Sequence, residues 1–519
     1  MKNTLVRGAL ILTICALVGK IIGAFYRIPF AMIVGAEGVG LYQMVYPLYA
    51  LILTISTSGL PSSISKLLSG SYAEGQYLLA KKYFKYSFLI ILLLSSVGFL
   101  VILFGAGAIS KLQGNADAKW CYVAISPAVL FSGIVAGIRG YFQSRENMVP
   151  TAVSGLIEQI CKVAIGLCLA FLLKNKGIVV ATIGAIMGVS ASELIASIFL
   201  LVCYGFSERK VPQILINTKL NLSKMQILKK IFKISIPIAL GSLIMPFTMV
   251  IDSTLVVRLL SRFVDTTQAT TLFGIQSGVV GSLTNLPVVA SVAIQTILLP
   301  RITREKMQNN NASTQATIKN ALFFVLIVAI PCAICYFVFS RQIVFVLYAK
   351  SFSQEQINVA SKLLKFGAFN IIALSLAQTT AGILQGLGKV NIPVVTLLAG
   401  AIVKLLSVIL LVATPKIGIY GAEISDIICF ALVSTINFVV IHRQVKYYFA
   451  KEVLVLFAVA SIVGISAFFS NFVLLKIVGS TSALVIGGLI TMLVYFMCIM
   501  LIVKIKTGKS IFFAFNHKT

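Results

Sequence analysis

Apolar runs of about twenty residues recur along the whole chain, and they constrain the fold more than any other feature of the sequence. A run of this length crosses a hydrocarbon layer about 30 Å thick as a helix, whereas the strands of a membrane barrel are shorter and alternate in polarity. With 59% apolar and 11% charged residues, the 519-residue chain does not fit a series of soluble domains. The sequence therefore predicts an all-α polytopic membrane protein with about fourteen transmembrane helices.

Polar stretches divide these helices into four parts. We expect an N-terminal lobe of six helices at residues 1–206 and a basic cytoplasmic linker at 207–233. A second six-helix lobe follows at 234–445, and two further helices with a cytoplasmic tail occupy 446–519.

The second lobe repeats landmarks of the first at low similarity. Pro150 and Lys162 of the first lobe have counterparts about 240 residues further on, Pro393 and Lys404. Because each half holds an even number of helices, the repeat keeps its orientation in the membrane. We therefore expect two pseudo-repeat bundles related by an axis along the bilayer normal, with a central cavity at their interface.

The net charge of +29 is explained better by the orientation of the chain in the membrane than by binding of a specific anionic ligand. No basic domain is present that could bind nucleic acid, so no nucleic-acid partner is expected. Lys and Arg are in excess on the side that holds both chain ends, and the positive-inside rule places that side in the cytoplasm. We expect a multi-pass protein of the bacterial cytoplasmic membrane whose basic loops also attract anionic lipid headgroups.

Cations inside the apolar runs of the first lobe are the main indication of function. Lys20 lies roughly 22 Å along the first run, and Arg27 stands at its far end, where snorkelling to the interface is the alternative explanation. Lys162 lies about 18 Å past Pro150, near the midplane, and Glu158 precedes it at the favourable spacing for an ion pair within one helix. Because a lipid-facing charge is costly, these residues predict a cavity that accepts an anion.

Ionisable residues of the second lobe extend this prediction. Lys404 is the fourth candidate cation of the cavity, and Asp252 and Glu423 are candidates for coupling or charge pairing, with Asp252 to Lys404 the preferred cross-helix pair. The alternative is that the charges neutralise each other on helix interfaces. No paired carboxylates, nucleophile elbow, nucleotide-binding loop or metal-ligand cluster occurs, so neither an enzyme nor a cofactor is expected.

Two segments resemble a known family. Residues 19–27 and 35–42 are similar to the first-helix signature of the polysaccharide transporter branch of the multidrug/oligosaccharidyl-lipid/polysaccharide exporter superfamily. Residues 140–143 and 157–159 resemble a second signature, and the length and repeat fit the group that contains the lipid II flippases and their sporulation-specific relatives.

The resemblance implies a pair of lobes that moves an undecaprenyl-pyrophosphate-linked saccharide, lipid II or a spore-cortex precursor, to the outer leaflet by alternating access. It implies that Lys20, Arg27 and Lys162 bind the pyrophosphate and that the last two helices offer a groove for the lipid tail. Tyr46 stands in a region where lipid II flippases carry further arginine, and Lys404 stands where some members place acidic groups that form a cation site. Coupling to sodium, protons or the membrane potential therefore stays open.

Three alternatives remain at this stage. The cargo could be a capsular or teichoic repeat unit, the protein could be a cation-coupled exporter of small molecules, or it could be a scaffold for cell-wall synthesis proteins that transports nothing. We expect a monomer whose partners are the lipid-linked saccharide, anionic membrane lipids and cell-wall synthesis proteins.

Overall fold

A computed structural model describes residues 2–208, 223–308, 310–445, 450–477 and 479–507. These residues form sixteen α-helices and contain no strand. A 3₁₀ turn at Lys174–Lys176 precedes α6, and a π-helical segment at Gly274–Val280 joins α8 to α9. The helices are α1 (Lys2–Thr57), α2 (Leu60–Ala73), α3 (Tyr77–Leu112), α4 (Ala118–Ser144), α5 (Val149–Leu173), α6 (Ile178–Glu208), α7 (Lys224–Leu260), α8 (Thr266–Phe273), α9 (Gly281–Met307), α10 (Asn311–Val338), α11 (Ser340–Tyr348), α12 (Gln354–Gly386), α13 (Asn391–Val412), α14 (Tyr420–Gln444), α15 (Ala450–Ile477) and α16 (Ser480–Thr507).

Helix α1 contains two spans because the chain reverses direction at Gly35. The backbone there has φ 67° and ψ −177°, a conformation that only glycine adopts readily. The rings of Phe30 and Tyr42 lie 5.2 Å apart, although a straight helix would separate these positions by about 18 Å. The described residues hold thirteen helical segments long and apolar enough to span a membrane, and the first of them, Ile21–Ala73, contains the reversal at Gly35. The prediction of about fourteen transmembrane helices is confirmed.

The chain forms two compact units, residues 1–278 and 279–519. The first unit holds α1 to α8 and the second α9 to α16. Within the first unit α7 packs against α1 and α2, so this unit extends beyond the predicted N-terminal lobe. Most of the predicted linker, residues 209–222, and the tail at 508–519 lie outside the described residues. The division into two repeated lobes joined by a linker stays a prediction.

Small residues bring the helices of the first unit close together. A Cβ atom on Gly188 of α6 would lie 2.4 Å from the Cα of Gly166 on α5, so these helices meet backbone to backbone. A Cβ on Gly140 of α4 would likewise lie 3.0 Å from the Cα of Pro61 on α2. In lipid, where apolar surface gives little drive for association, close packing of this kind holds helices together.

The same kind of contact joins α1 to α8. A Cβ on Gly40 would lie 2.1 Å from the carbonyl oxygen of Thr270, and one on Gly274 would lie 2.5 Å from the amide nitrogen of Gly40. No larger residue fits either position without displacement of backbone. The second arm of α1 is therefore held directly against the polypeptide backbone of α8.

A buried polar network stabilises the turn between α3 and α4. The Tyr122 hydroxyl donates to Gln113 Oε1 at 2.6 Å, and Gln113 Nε2 donates to the carbonyl oxygen of Met44 at 3.1 Å. Asn115 Nδ2 donates to Thr270 Oγ1 at 2.9 Å. Since buried polar groups are costly when left unpaired, these bonds fix α1, α4 and α8 around the turn.

Candidate functional site

Helix α5 carries a polar face inside an otherwise apolar span. Pro150 lies in its first turn, where the N–H that proline lacks would have had no hydrogen-bond partner within the helix. Glu158, Gln159 and Lys162 follow two to three turns later, on a helix that the glycine contact described above holds close to α6. The packing of α5 on α6 therefore sets where these polar side chains lie.

Glu158 forms an ion pair with Arg139 of α4. Arg139 Nη2 lies 3.2 Å from Glu158 Oε2, and Arg139 Nε donates to Ser154 Oγ at 3.0 Å. The two charged side chains are 24% and 21% exposed, so solvent screens the pair only in part. The ion pair of Glu158 is thus with Arg139 of the neighbouring helix, whose Nε is held by Ser154, while Lys162, the expected partner within the same helix, is an electrostatic neighbour of the carboxylate.

Five ionisable residues from four helices form what we call the charge cluster: Arg27 of α1, Arg139 of α4, Glu158 and Lys162 of α5, and Glu193 of α6. Lys162 lies within electrostatic range of Glu158, Arg27 and Glu193. Glu193, on α6, is 6% exposed, and its Oε2 has no hydrogen-bond partner among the described residues. With Arg139, the cluster holds three basic and two acidic side chains, a surplus of one positive charge when all are ionised. Such a surplus inside a membrane span favours an anionic ligand.

Tyrosine rings from the second arm of α1 line the cluster. The ring of Tyr46 lies 5.5 Å from that of Tyr42 and 5.7 Å from that of Tyr49. Tyr46 is an electrostatic neighbour of Arg27, and the Tyr49 hydroxyl lies beside the Glu193 carboxyl group. Tyrosines spaced by three and four residues share one helix face. They add hydroxyl groups and aromatic surface to the site.

The fourth candidate cation, Lys404, lies in the second unit and has an acidic partner there. Its Nζ is 2.5 Å from Asp426 Oδ1 of α14, and the residue is only 8% exposed. Glu423 lies one turn earlier on α14 and is 1% exposed. The predicted pairing of Lys404 with Asp252 would join the two units and stays a prediction.

The structure brings together three of the seven residues predicted for the site: Arg27, Glu158 and Lys162. Asp252 lies half-buried on α7 of the first unit, and Lys404 and Glu423 lie in the second unit. Lys20 lies on α1, but its side chain is outside the described residues. A cavity shared by the two lobes stays a prediction.

Sequence reasoning did not assign Arg139 to the site. The signal was present, since Arg139 is a cation in the apolar span of α4, the same kind of residue that drew attention to Lys162. Among the described residues, no group of three or more His, Cys, Asp or Glu side chains could hold a metal ion.

An apolar groove of 590 Å³ lies in the second unit between α10, α12 and α15, and we call it the tail groove. Gly464 of α15 lines it, and a Cβ there would meet open space. Other lining residues are Leu326, Ile330, Phe369, Leu456 and Phe457.

These features define a class of protein. The chain is a multi-pass α-helical membrane protein with a surplus of half-buried cations inside the spans of its first unit, an arrangement typical of transporters. The profile of the polysaccharide biosynthesis protein family matches residues 5–306, and the chain belongs to this family. The MatE profile matches residues 237–410. The predicted membership of the polysaccharide transporter branch of the exporter superfamily is thereby confirmed.

Relatives in Bacillus subtilis (strain 168) match most of the chain. The uncharacterized membrane protein YabM is 30% identical over 83% of this chain and 79% of its own length. Stage V sporulation protein B is 26% identical over 89% of this chain and 88% of its own. Lipid II flippase MurJ is 26% identical over 90% of this chain and 88% of its own.

Solved structures share the fold. The inward closed conformation of lipid II flippase MurJ has a TM-score of 0.71 at 17% identity and covers 95% of this chain and 99% of that one. The inward-facing conformation of a multidrug resistance MATE family transporter has a TM-score of 0.70 at 13% identity and covers 85% of this chain and 98% of that one. The fold of this chain is therefore that of the exporter superfamily.

Proposed function

We propose that the chain is a flippase that moves an undecaprenyl-pyrophosphate-linked saccharide, lipid II or a spore-cortex precursor, across the cytoplasmic membrane by alternating access. The surplus of positive charge in the charge cluster is the observation that carries the proposal. A pyrophosphate is prohibitively costly in hydrocarbon, so a flippase must provide compensating cations along the path. The relatedness to lipid II flippase MurJ and stage V sporulation protein B supports this substrate class.

The residues of the cluster have different roles in this proposal. Lys162 and Arg27 bind the pyrophosphate, the lysine as a compact charge and the arginine through paired donors. Arg139 is neutralised by Glu158 and holds that carboxylate away from the ligand. Glu193 offsets part of the remaining positive charge, so that the anion is released again after transport. The tyrosines offer hydroxyl and ring contacts to the saccharide.

The tail groove is an apolar surface of the second unit. It runs along residues 326–338 of α10, roughly 18 Å at 1.5 Å per residue, which is about the depth of one leaflet. We assign it to the isoprenoid tail, which stays in an apolar environment while the headgroup crosses. Both chain ends lie in the cytoplasm in this proposal, as the distribution of basic residues indicates.

Complementation of a strain depleted of its lipid II flippase tests the proposal, together with an assay of lipid II accessible at the outer leaflet. Loss of the ammonium in Lys162→Met is expected to reduce flipping at least about tenfold, because hydrogen bonds to charged groups contribute about 1.5–3 kcal/mol. Lys176→Met, at an exposed lysine in the turn before α6, is the matched control and should flip normally. Both variants must reach the membrane in equal amounts.

The tail groove has its own pair of variants. Gly464→Leu fills the groove and should slow flipping, while Gly488→Leu on α16 adds the same side chain where the space is also open and should not.

If Lys162→Met restores growth as well as the wild type does, the scaffold is favoured over transport. If the wild type reaches the membrane but flips no lipid II, a different lipid-linked saccharide is favoured.

A cation-coupled exporter of small molecules is the second candidate, favoured by the MatE match over residues 237–410. The basic charge cluster argues against it, because a cationic drug would meet like charge. Efflux of a cationic dye by cells that express this chain would support it, and unchanged dye retention would exclude it.

A further inference from the structure

A second pocket of the second unit combines lysines with aromatic rings, and it adjoins the tail groove, with which it shares Phe337 and Phe369. Its volume is 540 Å³, and it lies between the last residues of α10, the first half of α12 and the start of α14. We call it the lysine pocket. Its lining includes Lys362, Lys365, Lys416, Phe366, Phe369 and Tyr420.

If α12 is centred in the membrane, Lys362 and Lys365 start just inside the edge of the hydrocarbon core, within snorkelling reach of the headgroups. Helix α12 is 33 residues long, about 50 Å, and therefore extends beyond a hydrocarbon core of about 30 Å at both ends. Lys362 and Lys365 lie two to three turns after its first residue and share one face, and Lys416 precedes α14. All three residues are exposed, so their ammonium groups reach the lipid headgroups.

The charge of this pocket is of one sign. No acidic side chain is among the residues that line it, although three ammonium groups surround it. In the proposed topology it faces the side of the membrane opposite to the chain ends, where basic residues are the minority. Three lysines in one pocket on that side therefore favour the binding of an anionic partner.

The rest of the pocket wall is apolar, and its phenylalanine rings are exposed. Phe366 is 38% exposed and Phe369 53% exposed, and the ring of Tyr420 lies 6.0 Å from that of Phe366. Aromatic rings beside basic residues at a membrane interface contact the region where headgroups meet acyl chains. The pocket therefore has a cationic upper part and an apolar lower part.

We propose that the lysine pocket binds an anionic phospholipid of the bilayer, with its phosphate between the three lysines and its upper acyl chains against Phe366 and Phe369. Such a lipid is a permanent component of the membrane that surrounds the pocket. Its chemistry matches both parts of the pocket, a phosphate above and hydrocarbon below. The site contains no residue of the charge cluster, and it borders the tail groove at Phe369.

Native mass spectrometry of the full chain, titrated with phosphatidylglycerol or phosphatidylcholine, tests the proposal. We expect the wild type to retain phosphatidylglycerol in preference to phosphatidylcholine. The triple variant Lys362→Gln, Lys365→Gln, Lys416→Gln should bind it about 10- to 100-fold more weakly, because each interfacial lysine contributes roughly a several-fold gain toward an anionic lipid. A phosphatidylglycerol with a photoreactive acyl chain should crosslink to α12 in the wild type and not in this variant.

The matched control replaces three other exposed lysines predicted to lie on the same side, Lys174, Lys176 and Lys350, and should leave binding unchanged. If the triple variant does not fold, Lys416→Gln alone, in a turn, should weaken binding about threefold. Equal binding of the two phospholipids, or equal loss in the control, overturns the proposal. Displacement of phosphatidylglycerol by an equal amount of an isoprenoid diphosphate also overturns it and assigns the pocket to that lipid.

Discussion

The ion pair of Arg139 with Glu158 allows a quantitative test of the charge cluster. At 3.2 Å and an effective dielectric constant of about 20, the attraction is about 5 kcal/mol before desolvation is counted. Removal of one partner from a fully buried pair costs about 3–5 kcal/mol. Since about a quarter of each side chain is exposed, we expect Arg139→Gln and Glu158→Gln each to lower the free energy of unfolding by about 2 kcal/mol.

The double variant separates the interaction energy between Arg139 and Glu158 from the contacts that each residue makes with other groups. Once both charges are gone, neither partner is left unpaired, so the double variant should be less destabilised than the sum of the single variants by about 1–2 kcal/mol. Unfolding in mixed lipid and detergent micelles can be followed by the emission of Trp120. It is the single tryptophan of the chain and lies on α4 with Arg139.

Arg258→Gln is the control for the loss of one positive charge. Arg258 is exposed on α7, and its replacement should change the free energy of unfolding by less than about 0.5 kcal/mol. If the effects of Arg139→Gln and Glu158→Gln add within about 0.3 kcal/mol, the two residues do not interact and the assignment of Glu158 to Arg139 is refuted.

Three further predictions use the same unfolding measurement. Gly40→Ala should destabilise the protein, because its Cβ would lie 2.1 Å from the carbonyl oxygen of Thr270, whereas Gly70→Ala, in open space on α2, should stabilise it by about 0.5–1 kcal/mol. Tyr122→Phe should cost about 1–3 kcal/mol, because it removes the hydroxyl that donates a buried hydrogen bond to Gln113 Oε1 and leaves that oxygen without this donor. Glu305 lies on α9 beyond its membrane span. Burial alone would raise the pKa of this carboxyl group, but hydrogen bonds from two hydroxyls and a guanidinium outweigh burial and hold the pKa below its usual range. The stability from this carboxylate is therefore present above pH about 4.3 and lost as pH falls through the lowered pKa, so Glu305→Gln should destabilise at pH 7 and match the wild type at low pH.

The number and type of helices follow from local properties of the sequence. The length of each apolar run determines whether it spans the membrane, and no knowledge of neighbouring helices is needed. The tight reversal between the first two spans was also foreseeable, since Gly35 opens the glycine-rich segment that separates them.

The partners inside the site could not be foreseen in the same way. The cost of a charge in lipid identified Arg27, Glu158 and Lys162 as residues that face protein. The carboxylate's actual partner depends on how α4 meets α5, which the sequence does not state, so the sequence alone indicates the lysine one turn away on the same helix and not Arg139. Helix contacts set by glycines such as Gly166 and Gly188 become visible only when both backbones are placed.

The reversal at Gly35 also affects how the topology of this protein can be mapped. A connection of one residue leaves no segment between the first two spans that a protease, an inserted tag or a cysteine-labelling reagent could reach. Attempts to place a reporter there would disrupt both helices and would say nothing about sidedness. Mapping experiments are better directed to the exposed turn at 174–177, which connects two spans without holding a helix pair together.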